Sequence, residues 1–401
     1  MTGPLFPDVG VLGLVPEPWG GLWMGRHHLL TGLARYFHVV WMNPAAEWRD
    51  ALRNRASQPR AVPAPSPRRA GFEVYQPGPF RPRLYRPAWL ARALERGRLR
   101  AACERLGRRG ARRVVLSLWR PGFAPALDLV PHDVSCYHVA DEYTFSSQDL
   151  PTPPEEAALL ARADQVVVHS EGLLEKKGGV NPHTALIPNG VDFDAFAAAA
   201  AEPDDLRAIP RPRIGYVGHV KEQLDFALLA RLARARPGWQ FVFLGPVRDR
   251  PDVRAALAPL VALPNCHLLG ARPTAALPGY VQALDVATMC YVEDGYTRYI
   301  SPLKLYEYLA TGRPVVATPI RSLRPLGGLI HLARGEAEWL EALEASLAPE
   351  AMAAAAVTAR RAAARSHDWT VLAERLAGLL CARLGPAYLD RLPRAARGGS
   401  A

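Results

Sequence analysis

Lys304 and Glu307 stand three residues apart in the run Ser301-Pro302-Leu303-Lys304-Leu305-Tyr306-Glu307. On a helix that spacing places an ammonium and a carboxylate on one side. The ammonium, together with the free N–H groups of a helix start, suits a diphosphate. A carboxylate that only accepts hydrogen bonds suits the two hydroxyls of a ribose. One turn of helix can thus hold both ends of a nucleoside diphosphate. The flanking residues spell such a helix. Ser301 is a candidate N-cap, Pro302 fits the first helical position and Leu303 continues the opening turn; Gly312 can end the helix and Pro314 forbids its continuation. Residues 315–317 then read as a buried strand.

A second phosphate candidate is Gly215-Tyr216-Val217-Gly218-His219-Val220-Lys221, which ends a strand and enters a loop before a helix. Gly218 lets backbone N–H groups approach a phosphate closely, with His219 beside it and Lys221 supplying charge. The chain has four lysines (Lys176, Lys177, Lys221, Lys304) against 45 arginines, and two of the four fall where a diphosphate is expected. A compact ammonium fits a crowded phosphate site better than the bulkier guanidinium. In Tyr137-His138-Val139-Ala140-Asp141-Glu142-Tyr143, at the end of another strand, Asp141 or His138 is placed to orient or deprotonate a hydroxyl; a helix-capping Asp is the plainer reading. Trp19-Gly20-Gly21-Leu22-Trp23 follows the first strand and precedes a helix with His27 and His28, and a plain turn is equally open there. Asp192-Phe193-Asp194 has the look of an Asp-x-Asp metal motif. It follows the turn signal Asn189-Gly190 and precedes a helical run, so Asp192 is read as a cap and no metal site is expected.

From Lys304 to Ala317 the chain resembles the donor-site signature of retaining GT-B glycosyltransferases, the family-four and teichuronic-acid types that build bacterial surface polysaccharides. Gly215-Tyr216-Val217-Gly218, Ile187-Pro188-Asn189-Gly190-Val191-Asp192 and Trp19-Gly20-Gly21 occur in that family's order. The resemblance implies an α/β chain of two doubly wound Rossmann-like domains facing a central cleft. It implies that Glu307 binds the donor ribose, that Gly218, His219, Lys221, Ser301, Pro302, Leu303 and Lys304 hold the diphosphate, and that Gly20, Gly21 and His28 line the acceptor side. No metal or other cofactor is implied, because helix dipoles and basic side chains neutralise the leaving diphosphate. Many members carry a second Glu eight residues before Glu307, where the transferred sugar is recognised. Here Tyr299 stands in its place and packs against the nucleotide, with Glu293 or Asp294 as a substitute carboxylate.

These residues need a scaffold, and the apolar rhythm supplies one. Apolar runs at 9–15, 38–42, 113–118, 134–139, 165–169 and 184–187 alternate with helical stretches at 26–36, 88–106 and 155–163, which predicts a parallel sheet covered on both faces. The rhythm restarts with strands at 213–217, 240–244, 267–269, 286–290, 315–317 and 329–332, and helices near 224–236, 253–263, 274–283, 302–311 and 336–347. The reading is a first domain over 1–200, a hinge around 189–212, a donor domain over 210–366, a helix over 367–388 crossing back to the first domain, and a disordered tail over 389–401. Residues 57–87, rich in Pro and Arg, read as a mobile insertion. A length of 401 residues with 49% apolar composition is comfortable for two cores.

No run of about 18 apolar residues is present, and the N-terminus lacks a basic region followed by an apolar stretch. The expectation is a cytoplasmic protein. Five widely spaced cysteines suggest reduced core residues, with no disulfide framework or zinc spacing. The net charge of +11 is uneven: residues 49–120 hold 19 Arg against four acids. Aromatics interleave them, as in Phe80-Arg81-Pro82-Arg83-Leu84-Tyr85-Arg86, a pattern suited to an anionic membrane surface and peripheral attachment there. A solvated Arg-rich face is the plainer alternative, and no nucleic acid partner is expected. The function expected is sugar transfer from a nucleotide sugar to a hydroxyl of a glycan or lipid-linked acceptor in cell-surface polysaccharide synthesis. A nucleotide-sugar epimerase and a non-catalytic nucleotide-sugar-binding component remain as alternatives.

Overall fold

A computed structural model describes residues 3–20, 23–47 and 70–393. The chain divides into two compact units. The first comprises Met1–Thr144, Pro151–Pro188 and Trp369–Ala401; the second comprises Phe145–Leu150 and Asn189–Asp368. Gly21, the stretch 48–69 and the tail from 394 lie outside the described residues, so the expectations placed on them are not addressed.

The first unit is built on β1 (Val9–Leu14), β2 (His38–Met42), β3 (Phe72–Tyr75), β4 (Arg113–Leu118), β5 (Val134–Val139), β6 (Gln165–Val168) and β7 (Thr184–Leu186). They form one sheet in the order β3-β2-β1-β4-β5-β6-β7, every pair parallel. The second unit holds β8 (Arg213–Val217), β9 (Gln240–Leu244), β10 (Cys266–Gly270), β11 (Val286–Met289), β12 (Val315–Ala317) and β13 (His331–Leu332), parallel throughout in the order β10-β9-β8-β11-β12-β13. The central strands are buried along their whole length, as the continuous apolar runs require when helices cover both faces of a parallel sheet. In both sheets the chain reverses direction beside the first strand, between β1 and β4 and between β8 and β11. At such switch points the carboxyl ends of the strands open onto a ligand crevice.

The Trp369–Leu384 helix belongs to the first unit, where Leu372, Leu376, Leu380 and Cys381 are buried and Trp369 stacks on His28 at 4.8 Å. Two expectations are refined and one helix is added. Within 57–87, Phe72–Tyr75 is an edge strand paired to β2 instead of part of a loop; four residues among prolines and arginines give too short an alternation to read. The units meet in sequence between Pro188 and Asn189, at the start of the hinge expected around 189–212, but the rest of that stretch is anchored, with Phe193, Phe196 and Leu206 in the second unit's core. The Ala354–Arg365 helix escaped notice because only Arg360 and Ala364 of its twelve residues are buried, leaving almost no apolar stripe.

The first unit also stores buried imidazoles. His138 (1% exposed) stacks on Trp119 with ring centroids 4.0 Å apart and planes 3° off parallel, and His169 follows at 6.2 Å. Burial pushes the pKa of His169 and of His27 down to about 4, and that of His138 well below the usual value. An unfolded histidine titrates near 6.5. The folded state therefore binds fewer protons than the unfolded state between those values. Its stability is complete above pH 6.5 and is lost as pH falls through 6.5 towards 4, by on the order of 3 kcal/mol per histidine. Calorimetric scans of the first unit's transition should show Tm falling over this window. His169→Asn should flatten the fall, and an unchanged slope would refute the burial effect.

Candidate active site

The second unit brings the two phosphate candidates together at the carboxyl end of β8. Backbone geometry comes first. Gly218 has φ +147°, and its N–H donates to the Leu244 carbonyl at 2.8 Å. Gly245, at the end of β9, has φ +140°, and a Cβ there would lie 2.1 Å from the Gly218 oxygen. The two strand ends approach so closely that only glycine fits at 245.

Lys304 fills the space beside Gly218. A Cβ on Gly218 would come within 2.6 Å of the Lys304 Cε, so the bare backbone is what admits the lysine. The Lys304 ammonium donates to the Tyr291 hydroxyl at 3.2 Å and lies 5.1 Å from the centre of the Tyr216 ring. Tyr308, one turn along the same helix, accepts the Val217 N–H at 2.8 Å and donates to the Val217 carbonyl at 3.2 Å. The Tyr216 hydroxyl donates to the His219 carbonyl at 3.0 Å. Helix and phosphate loop are thus sewn together by phenols. Burial acts to lower the Lys304 pKa, but Tyr216, Tyr291 and Tyr308 outweigh it and the net shift is well upward. The ammonium stays charged.

The helix itself runs Lys304–Thr311 and ends on Gly312 in the left-handed conformation (φ +80°). Ser301 is not its N-cap: Leu303 holds that position with helical angles and makes no side-chain cap bond. The first turn is instead closed by Pro302 and Leu303 carbonyls accepting from Leu305 and Tyr306, at 3.2 and 3.3 Å. Ser301 is fixed through its carbonyl, which accepts from the Asn189 side-chain amide at 2.7 Å. Among the described residues the amides of His219, Leu303 and Lys304 have no acceptor. Three open donors next to a half-buried ammonium make a site for an anion.

Glu307 is half-buried, and among the described residues its carboxylate has no hydrogen-bond partner. Burial raises its pKa from 4.5 to about 7, with Lys304 pulling the other way. His219 is exposed, and its pKa is lowered by desolvation and by Lys221, Lys304 and Arg248. It is a neutral donor at pH 7 and supplies no charge, whereas Lys221 faces the same loop as a cation. Glu293 is not a spare carboxylate for a sugar. Arg334 holds both its oxygens, at 2.7 and 2.9 Å. Asp294 accepts from the amides of Tyr296 and Thr297, capping a turn. Tyr299, 3% exposed, is packed inside that turn.

The first unit's candidates are scattered by comparison. Gly20 takes φ +103° in the loop after β1, and the ring of His28 is spent on Trp369. Asp141 is half-buried just past β5 and accepts from the Glu142 amide at 3.0 Å. His138 is 1% exposed and burial holds its pKa well below the usual value, so it is poorly placed to take a proton from a hydroxyl arriving from solvent. Asp192 caps a helix, accepting from Ala195 at 3.3 Å. Sequence reading missed Tyr216, Tyr291, Tyr308 and Gly245. Tyr308 carried one usable signal: it lies at i+4 from Lys304 and so shares its face.

The unpaired carboxylate has a measurable cost. Because the folded pKa of Glu307 lies above 4.5, ionising it opposes folding increasingly as pH rises from 4.5 through about 7. Glu307→Gln should therefore raise Tm at pH 8 by a few degrees and leave it unchanged at pH 4.5. Equal shifts at both pH values would show that the carboxylate is not desolvated.

The chain is similar to known proteins in sequence and in fold. Residues 211–359 match the family described as glycosyl transferases group 1. TuaH of Bacillus subtilis (strain 168), a glycosyltransferase named for teichuronic acid biosynthesis, is 33% identical over 177 residues. That match spans 42% of this chain and 43% of the relative's own length. Among solved structures, sucrose-phosphate synthase from Thermosynechococcus elongatus superposes with a TM-score of 0.66 at 18% identity, covering 94% of this chain and 99% of that one. A UDP-forming α,α-trehalose-phosphate synthase from Burkholderia vietnamiensis gives 0.65 at 16% identity, with 94% and 99% covered. The stretch that carries Gly218, Lys304 and Glu307 matches the glycosyl transferases group 1 family, and the chain has the GT-B fold of two doubly wound, Rossmann-like sheets.

Proposed function

We propose that this protein transfers a sugar from a nucleotide diphosphate sugar to a hydroxyl of a glycan or lipid-linked acceptor, in the synthesis of a cell-surface polysaccharide. One observation carries the reading: a half-buried ammonium, three open amides and a carboxylate unpaired among the described residues lie on one helix start and one glycine loop. The diphosphate is gripped by the amides of His219, Leu303 and Lys304 and by the Lys304 ammonium, and the ribose hydroxyls donate to Glu307. Negative charge developing on the leaving diphosphate meets donors already in place, in a site where burial strengthens each contact. No metal is needed for that step. Likeness to TuaH supports a surface-polysaccharide acceptor, and the UDP-forming structural neighbour makes UDP-sugars the first donors to test. Family resemblance supports retention of anomeric configuration, with attack and departure on one face of the sugar. Asp141 is the remaining candidate to orient the acceptor hydroxyl.

No described helix is long and apolar enough to cross a membrane. Phe80, Tyr85 and Trp89, 90%, 59% and 71% exposed, stand among arginines on the first unit, which supports peripheral attachment to an anionic inner leaflet.

Transfer assays with UDP-, GDP-, ADP- and TDP-sugars test the activity. Lys304→Ala should lower kcat about 100-fold or more, and Glu307→Ala should weaken nucleotide binding about 10- to 100-fold with a smaller effect on kcat. EDTA should change neither. Wild-type constants in both variants would refute the assignment. Flotation with anionic liposomes should recover the protein at low salt and release it at high salt; no recovery at low salt would dismiss the membrane surface.

A further inference from the structure

The first unit has a pocket of about 500 Å3 at the carboxyl ends of β1, β2 and β4, beside its own switch point and within the size range of small-ligand sites. Leu14, Met42, Leu99 and Phe123 give it apolar walls. Arg83, Arg98 and Arg120 line it against a single carboxylate, Glu95. Arg98 is 7% exposed, and its Nη1 donates to the carbonyls of Arg81 and Pro82 at 3.2 and 2.7 Å, which fixes the guanidinium without neutralising it. Among the described residues neither Arg83 nor Arg98 ion-pairs with a carboxylate. Burial pushes the Arg98 pKa down, Glu95 opposes the drop and Arg83 adds to it. The Arg83 guanidinium lies 5.2 Å from the centre of the Tyr85 ring. A buried cation held by backbone oxygens, with a second, exposed cation beside it and a deficit of negative charge, suits an anion. The apolar walls require that the anion carry a hydrocarbon body.

We propose that this pocket binds the phosphate of a lipid-linked acceptor, with Arg83 and Arg98 on the phosphate and the hydrocarbon chain against the apolar walls, continuing over Tyr85 and Trp89. The acceptor role rests on the glycosyltransfer reading given above; the binding itself does not. A chain entering here brings its own anchor from the bilayer that the exposed aromatics touch. Arg-rich surroundings then serve recognition as well as attachment.

Calorimetric titration of the full chain with geranyl diphosphate, inorganic pyrophosphate and geraniol tests the inference. Each titration is also run in Lys304→Ala, so that occupancy of the donor platform does not count. Geranyl diphosphate should bind at least tenfold more tightly than either other probe in both proteins. Arg83→Gln, which removes no side-chain hydrogen bond or ion pair among the described residues and only an exposed contact with the Tyr85 ring, should weaken that binding about tenfold while Tm and UDP affinity stay at wild-type values. Pyrophosphate binding as tightly as geranyl diphosphate would point to a free small anion and overturn the lipid assignment. Equal affinity for geraniol, or an unaffected Arg83→Gln, would overturn the phosphate site. Absence of UDP binding in the wild type would instead sink the donor reading, independently of this pocket.

Discussion

Two hydrogen bonds from one phenol hold the site together. Tyr308 accepts from the Val217 amide and donates to the Val217 carbonyl, so the last residue of β8 is tied to the middle of the Lys304–Thr311 helix. That tie fixes how far the Lys304 side chain stands from the loop that begins at Gly218. Tyr291 and Tyr216 then hold the ammonium from two other directions. Desolvating a lysine normally drives it towards the neutral amine, and the phenol oxygens and ring faces keep this one charged. The positive charge is therefore in place before any ligand arrives. Little reorganisation is left for the moment at which a diphosphate departs.

The remaining charges are distributed in a way that isolates the functional ones. In the first unit, the buried Glu142 and Glu156 are compensated by two lysines, with the Lys177 ammonium 2.8 Å from Glu156 and 3.3 Å from Glu142 and the Lys176 ammonium 3.3 Å from Glu142. In the second, Glu293 is clasped by Arg334. Glu307 alone among the donor-side acids is left half-buried with no partner, at a carboxylate pKa of about 7. A structural carboxylate in that position would be paired. An unpaired one is what the proposed contact with ribose hydroxyls needs.

Much of this was legible in the chain itself. Continuous apolar runs showed two parallel sheets, because strands covered on both faces admit few polar residues. Lys304, Glu307 and Gly218 were legible because helix grammar and glycine each carry local geometric meaning. What stayed hidden depends on contacts remote in sequence. Gly245 matters only because it abuts Gly218, and Tyr291 only because β11 runs beside β8. Ser301 was misplaced as a cap because Pro302 and Leu303 close the first turn through their carbonyls. His138 and Glu293 were misjudged for the same kind of reason: Trp119 and Arg334, their partners, lie 19 and 41 residues away.

The central claim is that one helix turn and one glycine loop hold opposite ends of a nucleoside diphosphate. A co-crystal structure with the UDP-sugar that most raises Tm tests it most directly. The account predicts phosphate oxygens within hydrogen-bonding distance of the Lys304 ammonium and of the amides of His219, Leu303 and Lys304, with both ribose hydroxyls on Glu307. A nucleotide bound elsewhere, or one whose ribose avoids Glu307 while its phosphates avoid Lys304, would contradict it.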